Sequence, residues 1–289
     1  MLYIEVFTDP GCPFAWSAEP HARRIEWLYG DQLQIAPRMV VLSERPEDYL
    51  EKGFDPVMQS VGMGRIREQY GMPIDATERP RMTATVHACR AFVAARRHAP
   101  AKADLLLRRL RVHHLALAHM IDEPDVLAMA AEEAGIDATD LERWMAEDGT
   151  ETALLEDARD ARAPMPAAAH LDHKLAGPPQ QRRYTCPSWV VHRDGRPSLV
   201  APGFQPVEVY EALIANLGPE LTRREDPESA LDVLRWAPFP LASAEIAAVM
   251  GVDRETAEIE LDRFADADGG FWSLAPRVDR EPSTTLKQV

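Results

Sequence analysis

Apolar and polar residues alternate over the first segment, with Leu2, Ile4 and Val6 on one side and Tyr3, Glu5 and Phe7 on the other. A period of two in β-prone residues predicts a strand. Asp9-Pro10-Gly11-Cys12-Pro13 ends it. Pro13 suits the first turn of a helix, where its missing N–H leaves no bond unmade. That helix is predicted from Pro13 to about Tyr29, with Gly30 as its stop. Gln32–Leu42 holds a second strand through Leu33, Ile35, Val40 and Val41. Strand, helix and strand in this order predict a parallel pair joined by a crossover.

Residues 43–81 read as loop-rich, punctuated by Pro46, Pro56, Pro73 and Pro80. From 82 to 163 the spacing turns helical: Met82–Arg97, Lys102–His119, Pro124–Ala134 closed by Gly135, Leu141–Glu147 capped by Asp137 or Thr139, and Thr150–Arg162. Prolines break the chain repeatedly before Cys186. Ser188–His192 is a strand, Arg193-Asp194-Gly195-Arg196 a hairpin turn, and Leu199-Val200 begins the partner strand. Val207–Leu217 is a helix stopped by Gly218-Pro219. Thr222–Ser229 reads as a linker, followed by short helices at Ala230–Ala237, Ser243–Met250 and Arg254–Phe264 and a β element at Gly269–Leu274. The order is βαβ, a helical block, ββα and a small C-terminal module.

Composition narrows what such a chain does. Its 289 residues allow about two domains. No run of about 18 apolar residues is present, so no membrane span is expected. The N-terminus lacks the basic and apolar regions of a signal peptide, which sets the expected location as cytoplasmic. A net charge of −15 argues against nucleic acid as a partner. Three cysteines, Cys12, Cys89 and Cys186, are too few and too scattered for a disulfide framework, and no CxxC pair offers a zinc ribbon. They leave room for a reactive thiol.

Cys12 is the strongest candidate. A thiol between a strand end and a helix start faces free backbone N–H groups and the positive end of the helix dipole, and both favour thiolate. The competing reading is a small buried hydrophobe. Thr185-Cys186-Pro187-Ser188 is the second informative segment, because an X-Pro bond before a strand is a candidate cis peptide. Cys89, in mid-helix, reads as core. His113, His114 and His119 lack the i, i+4 spacing of a helical metal site and read as surface cover, and His170 and His173 lack a third ligand. Metal is therefore not expected.

Asp9-Pro10-Gly11-Cys12-Pro13-Phe14-Ala15-Trp16 resembles the active-site segment of the DsbA family of thioredoxin-fold proteins, a group that includes FrnE-like dithiol oxidoreductases and 2-hydroxychromene-2-carboxylate isomerases. Thr185-Cys186-Pro187-Ser188-Trp189-Val190-Val191 resembles that family's cis-proline loop and third strand, and Leu105–Asp137 its inserted helical domain. The resemblance spans residues 1 to about 218. It implies an α/β, thioredoxin-like core over 1–81 and 164–220, with a helical insertion over 82–163. Residues 226–275 look like a winged helix-turn-helix module, and 276–289 form a tail. The helix Arg254–Arg263 of that module is rich in Glu and Asp, which favours protein contact or dimerisation over DNA.

Dithiol members carry a second Cys where this chain has Ala15, and the isomerase branch commonly has Ser in place of Cys12. Simple cycling between positions 12 and 15 is therefore excluded, since exchange needs a resolving thiolate. The resemblance instead places Cys186, the residue before the family's cis-proline, near Cys12, where the two form a redox pair or share a soft metal. It implies that Pro13, Phe14, Trp16, Thr185 and Pro187 border a substrate site, and that Arg182 and Arg183 hold the carboxylates of a small thiol. Three functions follow. The first is a thiol–disulfide oxidoreductase or small-thiol-dependent transferase using Cys12. The second is a glutathione-dependent isomerase. The third is a non-enzymatic adaptor that meets a protein partner through its C-terminal module. No cofactor is required beyond glutathione or another low-molecular-weight thiol.

Overall fold

The computed structural model describes residues 1–274, so the polar tail expected at 276–289 lies outside the described residues. The chain order is β1 (Leu2–Thr8), α1 (Pro13–Ser17), α2 (Glu19–Tyr29), β2 (Leu33–Met39), α3 (Glu47–Glu51), α4 (Pro56–Tyr70), α5 (Val86–His98), α6 (Pro100–Arg111), α7 (Pro124–Glu133), α8 (Ala138–Met145) and α9 (Asp148–Ala161). It continues with β3 (Leu175–Ala176), β4 (Arg183–Tyr184), β5 (Ser188–His192), β6 (Leu199–Ala201), α10 (Val207–Leu217), α11 (Ala230–Trp236), β7 (Leu241–Ala242), α12 (Ser243–Met250), α13 (Arg254–Leu261), β8 (Ala265–Asp268) and β9 (Phe271–Leu274).

The central sheet runs β2-β1-β5-β6. β1 and β2 are parallel, whereas β1–β5 and β5–β6 are antiparallel. This is a thioredoxin-like α/β fold, and α5–α9 form a helical block between β2 and β3. The alternation in β1 holds over its first half: Leu2 and Ile4 are buried against α2 and α10, while Glu5 on the other face receives Arg38 Nε at 2.9 Å and faces His192 at 3.0 Å; beyond it Phe7, on that second face, is buried as well, because both faces of the sheet are covered there. Among the described residues, no helix is long and apolar enough to cross a membrane.

Four elements depart from the sequence reading. The first helix breaks at Ala18 into α1 and α2. Pro20 has no N–H to give, and its ring would collide with the carbonyl four residues back, at Trp16. The loop-rich stretch contains α3 and the 15-residue α4, which Asp55 caps by accepting from Met58 N–H at 2.7 Å and which Gly71 ends in the left-handed region (φ 77°). The helix expected to reach His119 stops at Arg111 and continues as one wide π turn over Val112–Ala116, burying His113 and His114, which are therefore not surface cover. The linker is strapped down rather than loose: Trp27 Nε1 donates to Glu225 O (2.8 Å), Arg224 N–H to Leu28 O (2.7 Å), and the Arg224 guanidinium lies 3.7 Å from the Trp27 ring centre.

The C-terminal segment packs onto the rest of the chain. Val233, Leu241, Ile246, Val249 and Leu261 share one hydrophobic core with Leu2, Ile4, Ile25, Leu28, Trp189 and Ile214. The helix pair α12–α13 turns at Gly251 and is flanked by the short sheet β7-β9-β8, with β7 before it and β8 and β9 after it. A buried ion pair joins this segment to the helical block: Arg108 forks onto Glu245 at 2.6 and 2.7 Å, with both side chains shielded from solvent. The same guanidinium lies 4.6 Å from the Trp16 ring, 4.9 Å from Phe239 and 5.4 Å from Phe271.

Candidate functional site

Cys12 occupies the N-cap of α1, with extended backbone (φ −84°, ψ 113°). Its N–H donates to Asp9 O at 3.2 Å and its carbonyl accepts from Trp16 N–H at 3.1 Å, so the sulfur sits at the mouth of a helical turn opened by Pro13. The Cys186–Pro187 peptide bond is cis. The loop carrying it is fixed by a chain of hydrogen bonds: Lys174 Nζ to Phe204 O (2.9 Å), Thr185 Oγ1 to Lys174 O (2.6 Å), Ser188 Oγ to Thr185 O (2.6 Å), and Gly203 N–H to Ser188 Oγ (2.8 Å). Gly203 has φ 68°, and a Cβ there would stand 3.1 Å from Thr185 Oγ1, so glycine is needed for the loops to meet.

These two loops bring residues 12 and 186 together across 174 positions of sequence, with Cys12 Sγ 3.5 Å from Cys186 O. Both thiols are free and both are buried, at 6% and 7% exposure. The hydrogen bond from the Cys186 side chain pulls the Cys12 thiol below its ordinary pKa, against burial; the backbone N–H groups of Ala15 and Phe14 add to the effect, and the Asp9 charge opposes it. Burial, and then the Cys12 hydrogen bond and charge, push the Cys186 thiol well up. The two thiols are thus shifted in opposite directions, Cys12 down and Cys186 up.

Asp9, between the strand and Cys12, is fully buried. Its carboxylate accepts from Gly11 N–H (2.8 Å), Leu42 N–H (2.9 Å), Thr85 Oγ1 (2.9 Å) and the Cys89 thiol (3.4 Å). Burial raises its pKa, and the four donors hold the rise in check. Gly11 is obligatory here, because a Cβ would stand 2.6 Å from Thr85 Cγ2. Cys89 is core, as its spacing predicts, and burial followed by the Asp9 charge makes it a poorly ionising thiol. Tyr49 on α3 faces the same site: burial, then the charge of Asp9, and further down the two thiols raise its phenol.

An open cleft of about 470 Å³ lies over Cys186, lined by Phe14, Tyr70, Thr185, Phe204, His173 and Lys174 among others. Phe14 is 43% exposed and meets the Tyr70 ring edge-on, and Tyr70 in turn packs on Phe204. Cys186 and not Cys12 forms part of this lining; Cys12 lies behind it. A second cavity, of about 430 Å³, borders Pro187 and Ala15 from the opposite side, but it holds neither thiol, and its Arg23, Arg108 and Arg111 pair with Glu19, Glu26 and Glu245.

Three sequence-level assignments change. Trp16 does not wall the cleft: it is fully buried, and its Nε1 donates to Pro73 O at 2.8 Å. Arg182 is committed to Asp172 and to the Gly177 carbonyl, outside the cleft lining. Arg183 donates to Tyr184 O, and its charge reaches Cys186 without lining the cleft. Four contributors went unread in the sequence. Asp9 carried a usable signal, an acid closing an apolar strand three residues before a thiol. Tyr49, Tyr70 and Phe204 carried none, since only the folded loops place them. Among the described residues, no group of three or more His, Cys, Asp or Glu is placed to hold a metal ion.

Known proteins share this architecture. A cytosolic disulfide reductase, DsbM, from Pseudomonas aeruginosa superposes with a TM-score of 0.52 at 18% identity, over 74% of this chain and 97% of that one. A disulfide-isomerase candidate from Nitrosomonas europaea superposes with a TM-score of 0.57 at 16% identity, over 76% and 98%. In sequence, the ClpXP adapter protein SpxH of Halalkalibacterium halodurans is 25% identical over 273 residues, which is 91% of this chain and 82% of that protein. Residues 3–164 match the DSBA-like thioredoxin domain, more than half of the chain, and the protein belongs to that family.

Proposed function

We propose that this protein is a thiol–disulfide oxidoreductase in which Cys12 is the nucleophile and Cys186 the resolving thiol. The observation that carries this reading is the meeting of two free cysteines on facing loops, Cys12 at the start of α1 with its Sγ 3.5 Å from the Cys186 carbonyl; the downward shift of the Cys12 thiol and the upward shift of Cys186 agree with it. The Cys12 thiolate attacks a substrate disulfide, forming a mixed disulfide and expelling one substrate sulfur as thiolate. Cys186 then gives up its proton, which the expelled thiolate takes, and attacks Cys12 Sγ. The second substrate sulfur leaves, and a Cys12–Cys186 disulfide remains. The substrate has gained two electrons and the protein has lost two. Two equivalents of a low-molecular-weight thiol such as glutathione return the pair to dithiol and become the oxidised disulfide. Pro13 sets the helix start behind Cys12, Phe14 and Thr185 shape the approach, and Pro187 follows Cys186 in its loop. The Lys174 ammonium, which replaces Arg182 and Arg183 as the cation in the cleft, suits the carboxylates of a small thiol.

The test is the alkylation rate of each cysteine against pH in the native protein, read by peptide mass spectrometry. Cys12 labelling half-maximally well below the free-thiol pKa of about 8.5, with a Cys12–Cys186 linked peptide after mild oxidation, is the expected result. Slow labelling of Cys12 in the reduced protein across that range removes the nucleophile assignment.

One observation favours a second reading, a non-enzymatic adaptor. The SpxH likeness covers 91% of the chain, beyond the 3–164 domain that carries Cys12. In that reading a protein partner is retained in pull-down equally by the wild type and by Cys12→Ser, and disulfide reduction is absent from both.

A further inference from the structure

The charged cavity beside Pro187 holds neither thiol and stays outside the proposed chemistry. The sheet lines it through Val6, Ile35 and Trp189, α2 through Ala22 and α6 through Leu105, with Phe239 of the C-terminal segment at its side. Its volume of about 430 Å³, and its apolar walls set with a few polar groups, are those of a small-molecule site.

The charges around it do not balance. Glu19, Glu26 and Asp104 line the cavity together with Arg23, Arg108 and Arg111, and Glu245 stands behind Arg108. Every base is committed: Arg23 to Glu26 and Glu19 at 2.5 and 3.3 Å, Arg108 to Glu245 at 2.6 Å, and Arg111 to Glu19. Asp104 makes no ion pair or hydrogen bond among the described residues and stands exposed on α6. Four acids thus face three bases, and one negative charge is left unmatched. Burial, with Glu19, Asp104 and Glu245 opposing the help of Arg23, pushes Glu26 up to about 7, as expected of a group crowded by excess negative charge.

A second observation concerns the donors. Arg111, only 6% exposed, lines the cavity, and neither its Nε–H nor that of Arg23 has an acceptor among the described residues. Buried N–H groups are costly to leave unmade, and these two call for an oxygen. That oxygen is better uncharged, because a carboxylate would add to the surplus of acids. The complementary ligand therefore carries a cation for Asp104, a neutral carbonyl for the two Nε–H groups and an apolar body for Leu105, Trp189 and Phe239. An α-ammonium group beside a carbonyl on an apolar residue combines all three. We propose that this cavity binds an apolar residue with a free α-ammonium and an uncharged carbonyl, as in an amino-acid amide or the first residue of a peptide. This goes beyond the thiol chemistry and stands even if that reading fails.

The probe is leucinamide, titrated into the full chain by calorimetry at about pH 7, where an α-amino group is mostly charged. Three comparators each lack one feature: N-acetylleucinamide the cation, isopentylamine the carbonyl, and leucine the neutrality of its carbonyl end. Leucinamide is expected to bind at least about tenfold tighter than each of them. Asp104→Asn should weaken leucinamide by about tenfold or more, and since Asp104 is exposed and unpaired, unchanged thermal melting and an unchanged pH profile of Cys12 alkylation will show fold and thiol site intact. Ala22→Leu fills the cavity without changing its charge and should weaken binding similarly; if that variant melts early, Asp104→Asn decides alone. No binding of leucinamide up to about 10 mM, equal affinity for any comparator, or indifference to Asp104→Asn overturns the proposal. The peptide Leu-Ala-Ala amide separates the two sources: binding as tight as leucinamide supports a peptide N-terminus, and its exclusion while leucinamide binds supports a small amide.

Discussion

Glu245→Ala is the most informative single perturbation of the fold. The Glu245 carboxylate accepts two bonds from Arg108, at 2.6 and 2.7 Å, and one from the backbone N–H of Ala242, at 2.8 Å, which closes the start of α12. Neither Arg108 nor Glu245 reaches solvent. Truncation leaves a guanidinium in a protein interior, with Glu19 at 3.8 Å as its remaining acid. Removing one partner of a buried pair costs about 3–5 kcal/mol, chiefly because the other charge is stranded, and the lost cap adds about 1 kcal/mol. Removing both charges in Arg108→Met with Glu245→Leu is a different experiment: it strands nothing, and its cost should fall to within about 2 kcal/mol of the wild type. Urea unfolding of the wild type, Arg108→Met, Glu245→Leu and the double closes a mutant cycle; each single strands a charge at about 3–5 kcal/mol while the double costs at most about 2, so a coupling of at least about 4 kcal/mol is expected. Because the C-terminal helices share one core with the sheet, tryptophan fluorescence and far-ultraviolet dichroism should give one coincident transition in the wild type. A Glu245→Ala variant losing under about 1 kcal/mol would refute the claim that this ion pair is a desolvated junction between the segments.

Other outcomes follow from the thiol site and its supports. Cys186→Ala removes the largest influence lowering the Cys12 thiol, so the pH profile of Cys12 alkylation should move to higher pH; an unmoved profile would mean that the two side chains are not coupled. Gly11→Ala forces a methyl to 2.6 Å from Thr85 Cγ2, an overpacking cost of about 1–3 kcal/mol by urea unfolding, together with altered Cys12 labelling. His114 is 2% exposed, and burial, then Arg79, holds its pKa down to about 4. It stays neutral when folded but takes up a proton when unfolded as pH falls below the ordinary 6.5, so it costs the folded state nothing at neutral pH and withdraws about 3 kcal/mol of stability between pH 6.5 and 4. His114→Asn can still donate to the His119 carbonyl, as Nδ1 does at 3.1 Å, and should flatten that part of the urea-stability profile relative to wild type; parallel profiles would contradict the assignment.

The parts of the fold that a sequence can reveal are those whose residues answer to a local rule. β1, α10 and the Asp194-Gly195 hairpin obey periodicity and turn chemistry, and their predicted positions coincide with the observed ones. α4 is masked by Pro56 at its start and by Gly62 and Gly64 within it, which read as loop signals, so only its caps at Asp55 and Gly71 betray it. His113, His114 and His119 read as surface cover because a π turn has no period that a sequence pattern displays; a single widened turn carries His113 and His114 inward. The linker looked free because its polar composition is that of a loop, while the groups that hold it, Trp27, Leu28 and Gln32, lie about 190 residues earlier. Of the site, Cys12 and Cys186 were legible and their companions were not. Phe204, Tyr70 and Tyr49 acquire their roles from where three separate loops and helices end.

The absence of a second cysteine at position 15 has a structural consequence that bears on how the site works. In this chain Ala15 is buried, 4% exposed, and its methyl packs in the same cluster as Cys12 and Cys186. It fills the space beside the two thiols but supplies no resolving group. Cys186, by contrast, reaches Cys12 from the opposite loop, and that loop is held by Thr185, Ser188 and Gly203 and not by α1. The two sulfurs therefore ride on separately anchored segments, and the spacing between them depends on hydrogen bonds that Ser188 makes to both Thr185 and Gly203. Ser188→Ala breaks both at once while leaving each cysteine in place. Losing a buried hydroxyl with two partners costs about 1–3 kcal/mol, which a 289-residue chain withstands. The informative readout is the linked peptide. If loop anchoring sets the pair, oxidation of Ser188→Ala yields less Cys12–Cys186 disulfide than wild type under the same glutathione poise, while Cys12 labelling by iodoacetamide shifts to higher pH. An unchanged yield and profile would show that the core packing around Cys12, Tyr184 and Val190 fixes the distance, with no need of the hydroxyl.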